Sequence, residues 1–453
     1  MNLTPVREFQ LPAEKHAFSA NVTLGEGRRG FVFLASASWQ DPGEELFHLP
    51  SDRLYIYCFD ATGELLWEKR LGVGVLPGIW FCPLAAMDMD GDGKDEIYFV
   101  NNRSDAPFSL FQRRLEALDP LTGETLGSWP WPDRTRELSV SKCYRFYLTG
   151  GYANGSPVLI ASQGCYTDMY LQGWGKGMVK LWEKFIPETA PGPRASHLTP
   201  VMDLNGDGID EIFWGERVLS VLTGEELMDF APEFHGHSDL LVPFLDYATG
   251  EMYVYTCRED HESPGQKRIN VFNADGSLRW GAADTGHMHC GWVATALDGF
   301  GKLAMAEHHE WQPNTGDSSD SGMTMHTFEK YFFNAVTGEP ITFELPFPAG
   351  EASPIDVNGD GYSEFIYGSK VFDRFGKYLG EFRGGKVRAG RILEEYPGEQ
   401  IMTLENGTVR IYADLDAEDS DIMKMRLERG FPLFLQKLTA SGYNAYNALA
   451  SCL

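Results

Sequence analysis

The chain is built from short apolar runs separated by turns rich in Gly, Asp, Asn and Thr, and helical spacing of apolar positions is nearly absent before residue 429. Runs of this kind predict β-strands. Two elements recur. The first is an apolar run closed by a turn of the form D/N-x-x-G-x-x-x-W or T-G-E, at 58–67, 117–126, 221–227, 272–280, 334–340 and 372–380. Each reads as a β-hairpin in which Gly takes a positive φ and Asp, Asn or Thr closes the turn. The second is an apolar run, an acidic loop and another apolar run, clear at 85–100, 199–215 and 353–368 and weaker at 243–255 and 294–306.

Together these elements mark eight units, beginning near Ala17, Trp80, Tyr144, His197, Ser238, Cys290, Ala352 and Val387. Units of about 55 residues suit four-stranded propeller blades. The expected fold is all-β: one β-propeller domain over 1–453, eight-bladed with seven as the alternative count. Residues 429–453 are expected to close the ring or pack on it. A β-solenoid would need shorter, more regular repeats.

The acidic loops carry candidate metal chemistry. Asp88, Asp90, Asp92 and Glu96 stand at positions 1, 3, 5 and 9 of one loop, with Gly91 and Gly93 between them. The register recurs as Asp203, Asn205, Asp207, Glu211 and as Asp356, Asn358, Asp360, Glu364. Hard oxygen ligands on a tightly wound loop suit calcium better than magnesium. The final Glu at position 9 and the strand-like flanks set these loops apart from an EF-hand. About three structural calcium sites are expected, tying an inner strand to its neighbour; a plain Asp/Gly hairpin turn is the alternative.

Charge narrows the partners. The 38 basic and 65 acidic residues give a formal net charge of -27, which argues against nucleic-acid or anionic-membrane binding. No stretch is apolar enough to span a membrane, and the first residues do not read as a signal peptide. The seven cysteines are scattered without a C-x-x-C pair, as expected of reduced thiols in a cytoplasmic protein.

With the repeat in phase, the residues before each first strand fall on one rim. They include His16, Trp80, Tyr144, Arg145, Arg194, His197, His235, His237, His287, His289 and Arg388. Six of the 11 histidines lie there, and His308 and His309 follow between Glu307 and Glu310. Such convergence suggests acid–base chemistry or an additional divalent cation; hydrogen-bonded structural histidines are the bland alternative. Trp80, Tyr166, Trp174 and Trp311 could stack on sugar rings, whereas Trp67 and Trp280 in the hairpins are expected in the core.

These residues resemble the catalytic propeller of rhamnogalacturonan lyases of polysaccharide lyase family eleven. The segment GHSDLL is similar to the family's first histidine segment and points to His237. GHMHCGW resembles the second and points to His287, and AEHHE resembles the acidic end and points to Glu307, His309 and Glu310. Residues 406–447 are similar to the family's last blade. Trp292 stands where the family carries a second His. The family's N-terminal β-domain and export signal have no counterpart in these residues, so an enzyme acting inside the cell on imported oligosaccharides is expected.

The resemblance implies a lyase that cleaves an acidic, uronate-containing glycan by β-elimination: rhamnogalacturonan, ulvan or a rhamnose–glucuronate polymer. Arg194 or Arg145 would neutralise the uronate, with a cation held by His237, His287 and Glu307. His197 or His289 would be the base and Tyr144 the acid. His16, Trp80, Tyr166, Trp174, Trp311 and Arg388 would bind sugar. A non-catalytic, calcium-stabilised binding propeller is the principal alternative, and a quinoprotein dehydrogenase a third.

Overall fold

The computed structural model describes residues 1–12, 16–38, 50–78, 80–107, 112–131, 144–259, 265–283, 286–313 and 323–428. The tail 429–453, expected to contribute to closure, lies outside them. Eight antiparallel sheets follow one another along the chain, with strands spanning 16–70, 84–130, 146–186, 201–229, 238–282, 287–334, 353–381 and 385–414. The eight-bladed, all-β propeller is therefore present.

The N-terminus closes the ring. The strand Leu3–Gln10 pairs with Thr408–Asp414 and becomes the outermost strand of blade eight. Phe9 is buried there against Phe31, Phe33 and Phe59 of blade one. The final blade thus pairs the first strand of the chain with the last, so closure depends on pairing between residues about 400 positions apart.

The first strands of blades eight and one, one and two, two and three, three and four, five and six, and six and seven contact one another, which places first strands at the centre. The hairpin tryptophans join blades from outside. Trp67 donates its indole N–H to Pro120 O at 2.9 Å, Trp182 to Val221 O at 2.8 Å and Trp280 to Ala335 O at 2.8 Å. Each ring lies beneath a turn glycine of the next blade, Gly123, Gly224 and Gly338, where even a methyl group would collide with it. This is the core role expected of Trp67 and Trp280.

The acidic loops provide a second tie. Asp95 Oδ2 accepts the Thr23 amide at 2.6 Å, and Asp210 Oδ2 accepts that of Tyr152 at 2.7 Å. Ser363 Oγ accepts the Thr295 amide at 3.0 Å. In each case the residue just before the loop's closing Glu grips the first strand of the preceding blade. A chain running antiparallel puts these loops and the first-strand starts on opposite faces of the ring.

Candidate functional site

Antiparallel pairing explains how the rim is assembled. The start of a blade's first strand lies beside the end of its second. Ser238 faces Arg258, so Glu259 emerges next to His237 and its amide donates to His237 O at 3.2 Å. His287 opens the first strand of blade six, and His197 sits in the loop before blade four's first strand, its amide donating to Asp239 O at 3.2 Å.

Three imidazoles converge on one carboxylate. His287 Nε2 lies 2.8 Å from Glu259 Oε1. His237 Nε2 contacts Glu259 Oε2, and His197 Nε2 lies 3.7 Å from the same oxygen. Ligand atoms of His197, His237 and Glu259 all fall within 4.8 Å of one another. Tyr166 stands beside them, its hydroxyl 3.2 Å from His197 Nε2, and its ring packs edge-on to His237 at 4.5 Å. Arg145 Nη2 donates to the Tyr166 hydroxyl at 3.3 Å, while its guanidinium stacks 4.6 Å from Trp80. Burial raises the Tyr166 phenol well above its ordinary pKa, although the Arg145 charge works against that rise.

Glu259 is held by a buried ion pair one residue earlier. Arg258 binds Glu216 through Nε at 2.8 Å and Nη2 at 2.5 Å. Ser238 Oγ also donates to Glu216, at 2.7 Å. Paired charges with saturated hydrogen bonds fix the strand end from which Glu259 projects.

The carboxylate that meets His237 and His287 is Glu259, where the sequence suggested Glu307. Glu307 instead holds His309, Nε2 to Oε2 at 3.1 Å, and accepts the Gly350 amide at 2.9 Å. Burial opposes charge on Glu307, yet the His309 hydrogen bond, the Gly350 amide and Lys330 outweigh it and keep the carboxyl below its ordinary pKa. His309 faces His287 across the two strands, so this second pair adjoins the first. Glu310 lies outward, 3.6 Å from His308 Nε2.

Other expected residues are placed elsewhere. Tyr144 is buried between Phe81 and Phe146 with the Arg113 guanidinium over its ring, so it is not brought to the cluster. Trp174 sits buried in a central strand of blade three. Arg194 spends its guanidinium on the carbonyls of Pro187, Ala190 and Gly192, pinning a loop. His16 and His235 are exposed. The side chains of His289 and Trp311 lie outside the described residues. Arg388, on the innermost strand of blade eight, donates to Asn21 Oδ1 at 2.5 Å, and Lys386 two residues earlier contacts Ser353 Oγ. Burial pushes Arg388 down to about 10 and Lys386 to about 8.

The acidic loops share one internal pattern. Glu96, Glu211 and Glu364 each accept the amide of their loop's second residue, Met89, Leu204 and Val357, at 2.9, 2.7 and 2.8 Å. Glycines at positions 4 and 6 all have positive φ, from 76° to 96°. In blade two, ligand atoms of Asp88, Asp90, Asp92 and Glu96 lie within 4.8 Å of one another. That oxygen-only set suits a hard cation. Burial raises Glu96 and Glu211 to about 7, each with the neighbouring loop aspartates adding to the rise.

No protein-family model matches the chain. Over 259 residues it is 26% identical to the rhamnogalacturonan exolyase YesX of Bacillus subtilis (strain 168). That match takes in 50% of this chain and 42% of that protein, so the aligned region spans less than half the length of the relative. The crystal structure of the exotype rhamnogalacturonan lyase YesX is similar with a TM-score of 0.69 at 20% identity, over 91% of this chain and 75% of the other. A Bacillus licheniformis rhamnogalacturonan lyase, PL11, gives 0.72 at 18%, over 100% and 80%. The chain is a remote homologue of rhamnogalacturonan lyases and shares their fold.

Proposed function

We propose that the chain is a polysaccharide lyase that cleaves a uronate-containing glycan, of rhamnogalacturonan type, by β-elimination. One observation carries the reading: His197, His237 and His287 meet around Glu259 with Tyr166 and Arg145 alongside. The remote likeness to rhamnogalacturonan lyases supports it.

β-Elimination needs the uronate carboxylate neutralised, the C5 proton removed and the departing O4 protonated. Arg145, which donates to the Tyr166 hydroxyl beside the cluster, is the cation suited to the carboxylate. His197 serves as the base, because an imidazole works near its own pKa at neutral pH. Tyr166, within hydrogen-bond reach of His197, serves as the acid in place of Tyr144, which is packed between Phe81 and Phe146. His237, His287 and Glu259 are the residues that would hold a divalent cation. Such an ion, when bound, supplies further electrostatic stabilisation of the developing charge. Mixed nitrogen and oxygen donors favour manganese or zinc, whereas the family resemblance points to calcium.

The acidic loops are read as structural calcium sites. Alanine at His197, His237 or Glu259, and phenylalanine at Tyr166, test the assignment. Each should lower kcat on uronate oligosaccharides by about a hundredfold or more with the fold intact. Full activity in all four variants would remove the cluster from the reaction.

A further inference from the structure

The acidic loop of blade seven differs from the other two in what covers it. The segment after the last strand crosses it: Glu418 N donates to Asn358 O at 3.3 Å and Ser420 N to Gly359 O at 2.8 Å. A short helix, Asp421–Glu428, follows. A methyl group at Gly359 would strike Glu418 O, and one at Gly361 would strike Ile422. In each of the other loops only one of the two glycines faces open space, Gly93 and Gly206; Gly91 lies against the Lys176 side chain and Gly208 near Asn154 Oδ1, so neither loop is crossed at both positions by a chain segment.

The helix carries a guanidinium into the loop. Arg426 Nη1 lies 3.4 Å from Asp356 Oδ2, and Nη2 lies 3.8 Å from Glu399 Oε1. Asp356, Glu364, Glu399 and Arg426 are 1%, 3%, 0% and 2% exposed. Glu399 joins the loop directly, its Oε2 accepting the Asp356 amide at 2.7 Å. Asp356 Oδ1 and Glu399 Oε1 accept no hydrogen bond. In the other loops, the corresponding Oδ1 atoms of Asp88 and Asp203 accept amides.

Buried charge is tolerated only when balanced. When all three are ionised, the buried carboxylates against one guanidinium leave two charges over, which one divalent cation matches. Asp356 presents one oxygen to Arg426 and leaves the other for a metal. We infer that Arg426 is a positioning residue for a calcium site in blade seven, and that calcium binding and docking of the C-terminal helix reinforce each other. The helix desolvates the carboxylates, which strengthens their hold on the ion, and the ion removes the repulsion that docking would otherwise meet. The inference rests on the calcium reading of the loops and is independent of the lyase reading.

Hydrogen exchange of residues 415–428 in the full chain, with calcium and with chelator, tests it. Chelation should speed their exchange by about tenfold or more in the wild type. Asp360→Asn, an exposed change, should abolish that response. Asp88→Asn, which disables the blade-two loop, should preserve it. Arg426→Gln should leave 415–428 fast-exchanging even with calcium. Unchanged exchange on chelation, or wild-type protection in Arg426→Gln, overturns the coupling. Calcium calorimetry on the same samples separates the failures: binding without an exchange response defeats the coupling alone, and no binding defeats the loop reading as well.

Discussion

Glu259 Oε1 lies 2.8 Å from His287 Nε2, although 28 residues separate them in the chain. One carboxylate therefore joins blade five to blade six at the rim. Replacing it by the isosteric amide keeps the shape and removes the charge. Glu259→Gln is expected to lower kcat/KM on uronate oligosaccharides by about 10²-fold with an unchanged far-ultraviolet circular dichroism spectrum. Activity within twofold of wild type would contradict its place in the site.

The Arg258–Glu216 pair fixes the strand end before Glu259. Removing one member leaves an uncompensated buried charge. Glu216→Ala should cost about 3–5 kcal/mol in denaturant unfolding and also reduce turnover. Unchanged stability would mean that the pair does not anchor the rim.

Glu96 and Glu211 are carboxyls raised to about 7 by burial. A raised pKa favours the protonated form when folded. Their contribution is complete below the unfolded value of 4.5 and is lost as pH rises through about 7. After discounting for partial solvent access, each loop should lose about 1–2 kcal/mol across that window without calcium. Calcium binds the ionised form, so it should release protons near pH 7 and flatten the profile. Calorimetry in buffers of different ionisation enthalpy measures the protons released. A calcium affinity independent of pH between 6 and 8 would contradict the loop assignment.

Phe9 tests ring closure. Phe9→Ala deletes a buried ring at the seam between blades eight and one and should cost about 3–5 kcal/mol. Urea unfolding at equilibrium reads the loss. A change below about 1 kcal/mol would show that the N-terminal strand closes the ring without contributing to its stability.

The sequence made the blade count and the loops legible because each depends on local chemistry: Gly at positive φ, alternating strands, and Asp or Asn in turns. The convergence of His197, His237 and His287 on one rim was legible too, since first-strand starts can be counted from the repeat. That Glu259 and Tyr166 meet these histidines was harder to see, because they lie at or beyond second-strand ends, and their approach depends on register. The signal was available in principle: the residue following the partner of a first-strand start shares its rim. Tyr144 shows the opposite case. It stands at a rim position by sequence, yet an aromatic ring beside Phe81 and Phe146 is more stable buried than aimed at water. Closure by Leu3–Gln10 is illegible for a third reason, since pairing across nearly the whole chain leaves no local pattern.

The most direct test of the lyase reading is ultraviolet absorbance during incubation of the purified chain with rhamnogalacturonan, ulvan and rhamnose–glucuronate oligosaccharides. β-Elimination leaves a C4–C5 unsaturated uronide, so absorbance should grow with at least one of them in the wild type and stay flat with Glu259→Gln. Saturable binding of these glycans without any new absorbance would contradict the account and favour a non-catalytic binding propeller.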